Sequence, residues 1–130
     1  MTEPGPARPA LAYKILVLAN AVPGREAEFD RWYTERHVPG VLGTPGFKSA
    51  QRFELAATQV TPNPGPHRYV TIYEVETSDI QAVLDELTAR RAAGKIARSD
   101  DIAPDAIAYV LQPITDMIRA HTASNPQVGR

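Results

Sequence analysis

Apolar and polar positions along this chain switch between two periods, and each switch marks a predicted element. The run 13–20, YKILVLAN, carries apolar side chains at both parities, as a strand covered on both faces does. Pro23-Gly24 then turns the chain. Over 25–37 the period lengthens. Phe29, Trp32, Tyr33 and His37 recur three and four residues apart, on one stripe of a helix whose first turns hold Glu26 and Glu28. Pro39 biases Val38 away from helical angles, so the helix is expected to stop or bend there, with at most one further turn at Val41 and Leu42.

Alternation returns at 47–55. Phe47, Ser49, Gln51, Phe53 and Leu55 take one face and Lys48, Ala50, Arg52 and Glu54 the other, and the large rings nominate the first face as the core side. A proline-bearing loop leads to a third strand, 67–76, with Tyr69, Thr71, Tyr73 and Val75 on one face and Val70 and Ile72 on the other. Which face meets the helices is open. Ser78 and Gln81 fit a capping box ahead of the stripe Ile80, Val83, Leu84 and Leu87, and Arg90, Arg91 and Gly94 suit the end of that helix. A fourth strand is expected over 105–112 and a short closing helix over 114–121.

The order β-α-β-β-α-β is the split βαβ arrangement, so the expected class is α+β, ferredoxin-like, with a four-stranded antiparallel sheet and two helices on one face. Strands one, three and four are apolar at both parities, so the second face of the sheet is too greasy to stay wet. A second copy related by a two-fold axis is the simplest cover, and a homodimer is expected.

Composition narrows the picture. The 130 residues suit one domain, placed at 12–121 between a proline-rich tail, 1–11, and a C-terminal tail, 122–130. Fourteen basic and 15 acidic residues, a net charge of −1, leave no basic stripe for nucleic acid. No cysteine is present, which excludes disulfides and thiolate chemistry and suits a reducing cytoplasm. No secretory signal and no apolar run of about 18 residues is seen, so no membrane role is expected and the localisation read is cytoplasmic.

From Leu18-Ala-Asn20 through Pro23-Gly24-Arg25-Glu26, Phe29, Trp32-Tyr33, His37-Val38-Pro39 and Pro45-Gly46-Phe47 to Gln51-Arg52-Phe53, the chain resembles the EthD-like family of dimeric α+β barrels. In the second half the resemblance rests on element order and on residues 69–74. It implies a protomer whose sheet pairs with its partner's and a small-molecule pocket between sheet and helices. The family's helix histidine falls on His37 and its arginine-bearing strand on Arg52 and Phe53. Relatives of this type resemble polyketide cyclases, muconolactone isomerases, dehydratases and cofactor-free oxygenases, so fold alone does not choose the reaction.

His37 is the one histidine on a core-facing stripe, and a neutral imidazole there could move a proton near neutral pH; equally, it could cap the helix C-terminus. Tyr73 is the candidate to polarise a substrate oxygen. Phe29, Trp32, Tyr33 and Tyr69 are candidate pocket walls or simple core, Arg52 a carboxylate fork or an ion-pair partner, and Asn20 a carbonyl anchor or a turn residue. His37, His67 and His121 lack metal-ligand spacing, and no phosphate loop or dinucleotide fingerprint occurs, so neither metal nor cofactor is expected. The reading is a cofactor-independent lyase, isomerase or cyclase acting on a carbonyl- or phenol-bearing metabolite. The alternatives are a non-catalytic small-molecule-binding protein of the same fold and a cofactor-free monooxygenase.

Overall fold

The computed structural model describes residues 8–62 and 65–121; residues 1–7 of the expected N-terminal tail, the whole expected C-terminal tail 122–130, and residues 63–64 of the proline-bearing loop lie outside the described residues. Strands β1 (Leu11–Ala19), β2 (Phe47–Glu54), β3 (Tyr69–Thr77) and β4 (Ile107–Leu111) form one antiparallel sheet in the order β2-β3-β1-β4. Helix α1 (Glu26–Trp32) runs through a segment Tyr33–His37 into α2 (Val38–Leu42), and α3 (Ile80–Ala92) follows β3. The fold is ferredoxin-like α+β, as the period changes imply. β1 begins at Leu11, paired with Thr77, inside the stretch whose prolines suggested a tail. Among the described residues no helix is long and apolar enough to cross a membrane.

The sheet has two unlike faces. Ile15 and Ala19 of β1 and Tyr69, Thr71, Tyr73 and Val75 of β3 are buried on the helix side. There Ile15, Tyr73, Val75 and Phe47 pack with Val41 of α2, Val83 of α3 and Ile96, while Ala19, Ala21, Phe29, Tyr33 and Tyr69 make a second cluster under α1. The other face presents Leu16, Leu18, Val70 and Ile72, and beside them Phe53, Ile107, Tyr109 and Leu111, all four exposed. None of these eight belongs to either buried cluster.

Four expectations are corrected. The expected alternation of β2 fails because the register against β3 shifts between Phe47 and Ser49, leaving Lys48 as an extra residue. A bulge of one residue reverses the faces beyond it. Phe47 pairs with Val75 on the helix side, whereas Phe53 pairs with Val70 on the outer face and Arg52 pairs with Thr71 on the inner one. Second, the helix does not stop at Pro39, although the one further turn expected at Val41 and Leu42 is present. It widens: Val38 N–H donates to Tyr33 C=O, five residues back. That π turn lies beneath the proline ring, where an α-turn would bring the carbonyl of Glu35 into collision, and the helix then continues to Leu42.

Third, α3 is capped by Asp79 rather than Ser78. Asp79 Oδ1 accepts from Ala82 N–H at 3.1 Å, and Gln81 turns outward to donate to Asp85 at 2.9 Å. Fourth, residues 114–121 form no helix, and Ile114, Met117 and Ile118 stand exposed. The stripe of α3 does face the core as expected: Val83 is buried, with Ile80, Leu84 and Leu87 packed beside it. Gly46, at φ 99°, opens β2; a Cβ there would lie 3.0 Å from Val83 Cγ2, so its bareness lets α3 seat on the strand.

Candidate functional site

A cavity of about 510 Å³ opens on the helix side of the sheet, between β1, β3 and β4, the π turn, the end of α3 and the segment 96–102. Its apolar wall includes Ile15, Val17, Trp32, Phe47, Ile96 and Ile102. The polar groups among its lining are His37, Tyr33, Tyr73, Arg91, Arg98, Ser99 and Asp100. The volume suits a small organic molecule and the wall is mostly hydrocarbon, as in ordinary ligand pockets.

The π turn delivers His37 to this wall. Its ring packs at a tilt against Trp32, 4.9 Å away, and Tyr33, 4.7 Å away, between centroids. Its Nδ1 lies 3.4 Å from the carbonyl oxygen of Ala97, a long contact that only an Nδ1–H can satisfy. The tautomer that fits therefore carries its proton on Nδ1 and keeps the Nε2 lone pair free. Burial pushes the His37 pKa below the ordinary imidazole value; the Ala97 carbonyl opposes that shift, and the charge of Arg91 adds to it. His37 is therefore neutral at pH 7, a proton acceptor in a largely apolar setting.

Tyr73 stands on the inner face of β3, opposite Ile15 and Ala50. Burial, and then the adjacent Tyr33 phenol, push its pKa well above the ordinary phenol value, so it remains a donor at any working pH. Its hydroxyl is buried without a hydrogen-bond partner of ordinary geometry, and so is the indole N–H of Trp32. Unpaired buried donors cost about 1–3 kcal/mol each, and an acceptor on a ligand that reaches either one recovers that cost.

Other nominated residues lie elsewhere. Phe29 is fully buried in the second cluster, 5.0 Å from the ring of Tyr69, and neither lines the cavity. Arg52 is also outside it. Arg52 Nη1 donates to Asp30 Oδ1 at 2.5 Å and Thr34 Oγ1 at 2.8 Å, and its guanidinium lies 4.7 Å from the Tyr33 ring centre. It clamps α1 and the π turn to β2. Asn20 ties the end of β1 to two loops, donating to Pro66 O at 2.9 Å and Asp105 Oδ2 at 3.1 Å and accepting from Arg68 N–H at 2.8 Å. Asn20 and Tyr69 line a smaller cleft with Glu26, Arg68 and Asp105. Among the described residues no three metal-ligating side chains cluster. His67 instead faces the carbonyl oxygen of Asp105 at 2.8 Å through Nε2.

Sequence reasoning passed over the stretch 95–104 that closes the cavity. Ile96 is buried, and Ile102 forms a bridge with Ala21 that holds this stretch beside the end of β1. The signal was present as two isolated branched residues in an otherwise charged loop. A second requirement is Gly40: a Cβ there would sit 3.2 Å from both Ile96 Cα and Lys95 O, so the loop docks on α2 because that position is bare.

No family model and no curated protein matches the chain. Among solved structures, it is similar to the heme-degrader MhuD from Mycobacterium tuberculosis, seen with two hemes bound in its active site: TM-score 0.57, 17% identity, over 81% of this chain and 98% of that one. It is also similar to an EthD family protein from Bacillus halodurans, with TM-score 0.47 and 17% identity over 76% of this chain and 97% of that one. The likeness to MhuD is one of fold.

Proposed function

We propose that this chain is a cofactor-independent lyase, isomerase or cyclase that binds a small, mostly apolar carbonyl- or phenol-bearing metabolite in the 510 Å³ cavity. One observation carries the reading. A histidine held neutral by burial lines the same largely apolar cavity as a tyrosine whose buried hydroxyl has no hydrogen-bond partner of ordinary geometry. In this mechanism His37 Nε2 removes a proton from carbon next to a carbonyl while Tyr73 O–H donates to the oxygen that gains charge. The enolate so formed loses a leaving group, attacks an internal carbonyl or regains the proton at another carbon, with His37 returning it. Trp32 and Tyr33 orient a flat substrate. The EthD-like resemblance around Trp32-Tyr33 and His37-Val38-Pro39 favours a functional role for His37 without choosing the reaction.

The test needs no knowledge of the natural substrate. β-Tetralone, a bicyclic ketone, is incubated in D2O and α-deuteration is followed by NMR. The expected result is exchange above buffer that falls about 100-fold in His37→Gln, the lower end of general acid–base contributions. Binding of the ketone with no exchange above buffer would instead establish a carrier or sensor of the same fold.

We also propose that two copies pair through the outer sheet face, burying Leu16, Leu18, Val70 and Ile72 against their equivalents, in the cytoplasm that a cysteine-free chain suits. Light scattering should give twice the chain mass at micromolar concentration, and Leu16→Glu should halve it. A stable wild-type monomer there would refute the pairing.

A further inference from the structure

The cavity has a charged rim that neither the fold nor the proton-transfer chemistry requires. Arg91, in the last turn of α3, and Arg98, in the loop that follows, both line it. Among the described residues neither makes an ion pair, whereas Arg25, Arg52 and Arg68 are each tied to a carboxylate. Ser99 lies between Arg98 and Asp100 in the lining. Its Oγ already accepts from Asp101 N–H at 2.9 Å, so its proton is left to donate. Among the described residues Asp100 is the only carboxylate in the lining, so with His37 neutral the two guanidiniums leave the rim net positive. The field of Arg91 reaches inward: it disfavours a proton on His37 and favours ionisation of Tyr73.

A guanidinium left free at the edge of a hydrocarbon cavity presents parallel N–H donors, the arrangement that matches a carboxylate. A purely apolar ligand gains nothing from two such groups, and a cationic one is repelled by them. We infer that the cavity is specific for an amphipathic carboxylic acid, its ring or chain lying against Ile15, Trp32, Phe47 and Ile102 and its carboxylate held by Arg91, Arg98 and Ser99. This inference rests on the proposed use of the cavity as a ligand site and adds the class of ligand. The acid group anchors the molecule at the rim and leaves its reacting carbon to His37.

The test uses the lone tryptophan, Trp32, which lies in the cavity wall, as a fluorescent reporter. The probes are 4-phenylbutanoate and its uncharged isostere 4-phenylbutanamide, titrated at low ionic strength into wild type, Arg91→Gln/Arg98→Gln and the control Arg36→Gln, which lies outside the lining. The acid should bind about tenfold more tightly than the amide, the value of one charge-assisted contact at a partly wet site. That preference should vanish in the double variant, survive in Arg36→Gln, and shrink with added salt. Both arginines are exposed, so an unchanged amide affinity will show that the double variant keeps the cavity. Equal binding of acid and amide by wild type, or a preference that survives the double variant, overturns the acid specificity and leaves the cavity reading standing. Failure of both probes to bind overturns the two together.

Discussion

Arg52 gives the sharpest test of how the site is held, because two explanations of its role predict different numbers. Its guanidinium pairs with Asp30, but the partners are unequally placed: the Arg52 side chain is 16% exposed and that of Asp30 64%. An ion pair with one partner that wet contributes about 0.5 kcal/mol. The remaining contacts are drier. The charge lies 4.7 Å from the Tyr33 ring centre, 5.6 Å from Phe29 and 6.0 Å from Tyr69, together about 1–2 kcal/mol. Bonds to Thr34 Oγ1 and to the Asp30 carbonyl add about 1 kcal/mol more. Against this stands Arg52 Nε, buried and unpartnered, which costs about 1 kcal/mol. Arg52→Met keeps the stem and removes the guanidinium, so the expected loss is about 2 kcal/mol, or roughly 7 °C in Tm for a chain of this size. Asp30→Asn should cost about 0.5 kcal/mol and lose even that at high salt.

Both variants are to be unfolded by urea and by heat at one fixed protomer concentration, since self-association would otherwise move the midpoints. If Asp30→Asn costs as much as Arg52→Met, the ion pair is the fastening and the aromatic account is wrong. If Arg52→Met costs nothing, Arg52 is not the clamp between α1 and β2.

Three further outcomes are expected. Tyr73→Phe removes a hydroxyl that the fold leaves unpaired, so stability should hold or rise by up to about 1 kcal/mol while ketone exchange falls; a stability loss above that would reveal a bond to Tyr33. The folded state disfavours protonated His37, so the unfolded chain binds more protons once pH drops through the ordinary imidazole range. Wild-type stability should therefore decline from pH 7 toward pH 5 more steeply than that of His37→Gln, as read by urea midpoints; parallel declines would contradict the burial of the ring. Gly40→Ala should displace the 95–96 backbone by a few tenths of an ångström and weaken ligand binding more than stability, which calorimetry and melting can separate.

The face of each strand was legible only where the local pattern met no interruption. In β1 and β3 the apolar residues at both parities announced a sheet with two greasy faces, and the register places them so. In β2 the same logic failed. Phe47 and Phe53 share a parity, yet one extra residue at Lys48 sends Phe53 outward and Arg52 inward. A bulge leaves no mark in an alternating run, because the pattern on either side of it is equally regular. The π turn was hidden for a related reason: Pro39 reads as a stop only if the turn beneath it is α-helical. Tyr69 and Tyr73 were recognised as neighbours on one face, but their separation into different clusters depends on where α1 crosses the sheet. The loop 95–104 was least legible of all, since Ile96 acquires its meaning from the bareness of Gly40, more than 50 residues away in the chain.

His37 was read as either a helix cap or a proton carrier, and its geometry makes these two roles of one arrangement. A ring that met only water could exchange tautomers freely. Here Ala97 O accepts from Nδ1–H, while Trp32 and Tyr33 pack against the ring. The bond that would make the residue structural thereby assigns the lone pair to Nε2, the nitrogen a base must use. Burial then keeps that lone pair unprotonated at neutral pH. The anchoring contact therefore does not argue against catalysis. A substitution that keeps the contact but removes the second nitrogen separates the roles: His37→Asn can donate to Ala97 O and offers no imidazole lone pair. It should melt close to wild type and lose ketone exchange. Loss of both together would return His37 to the fold alone.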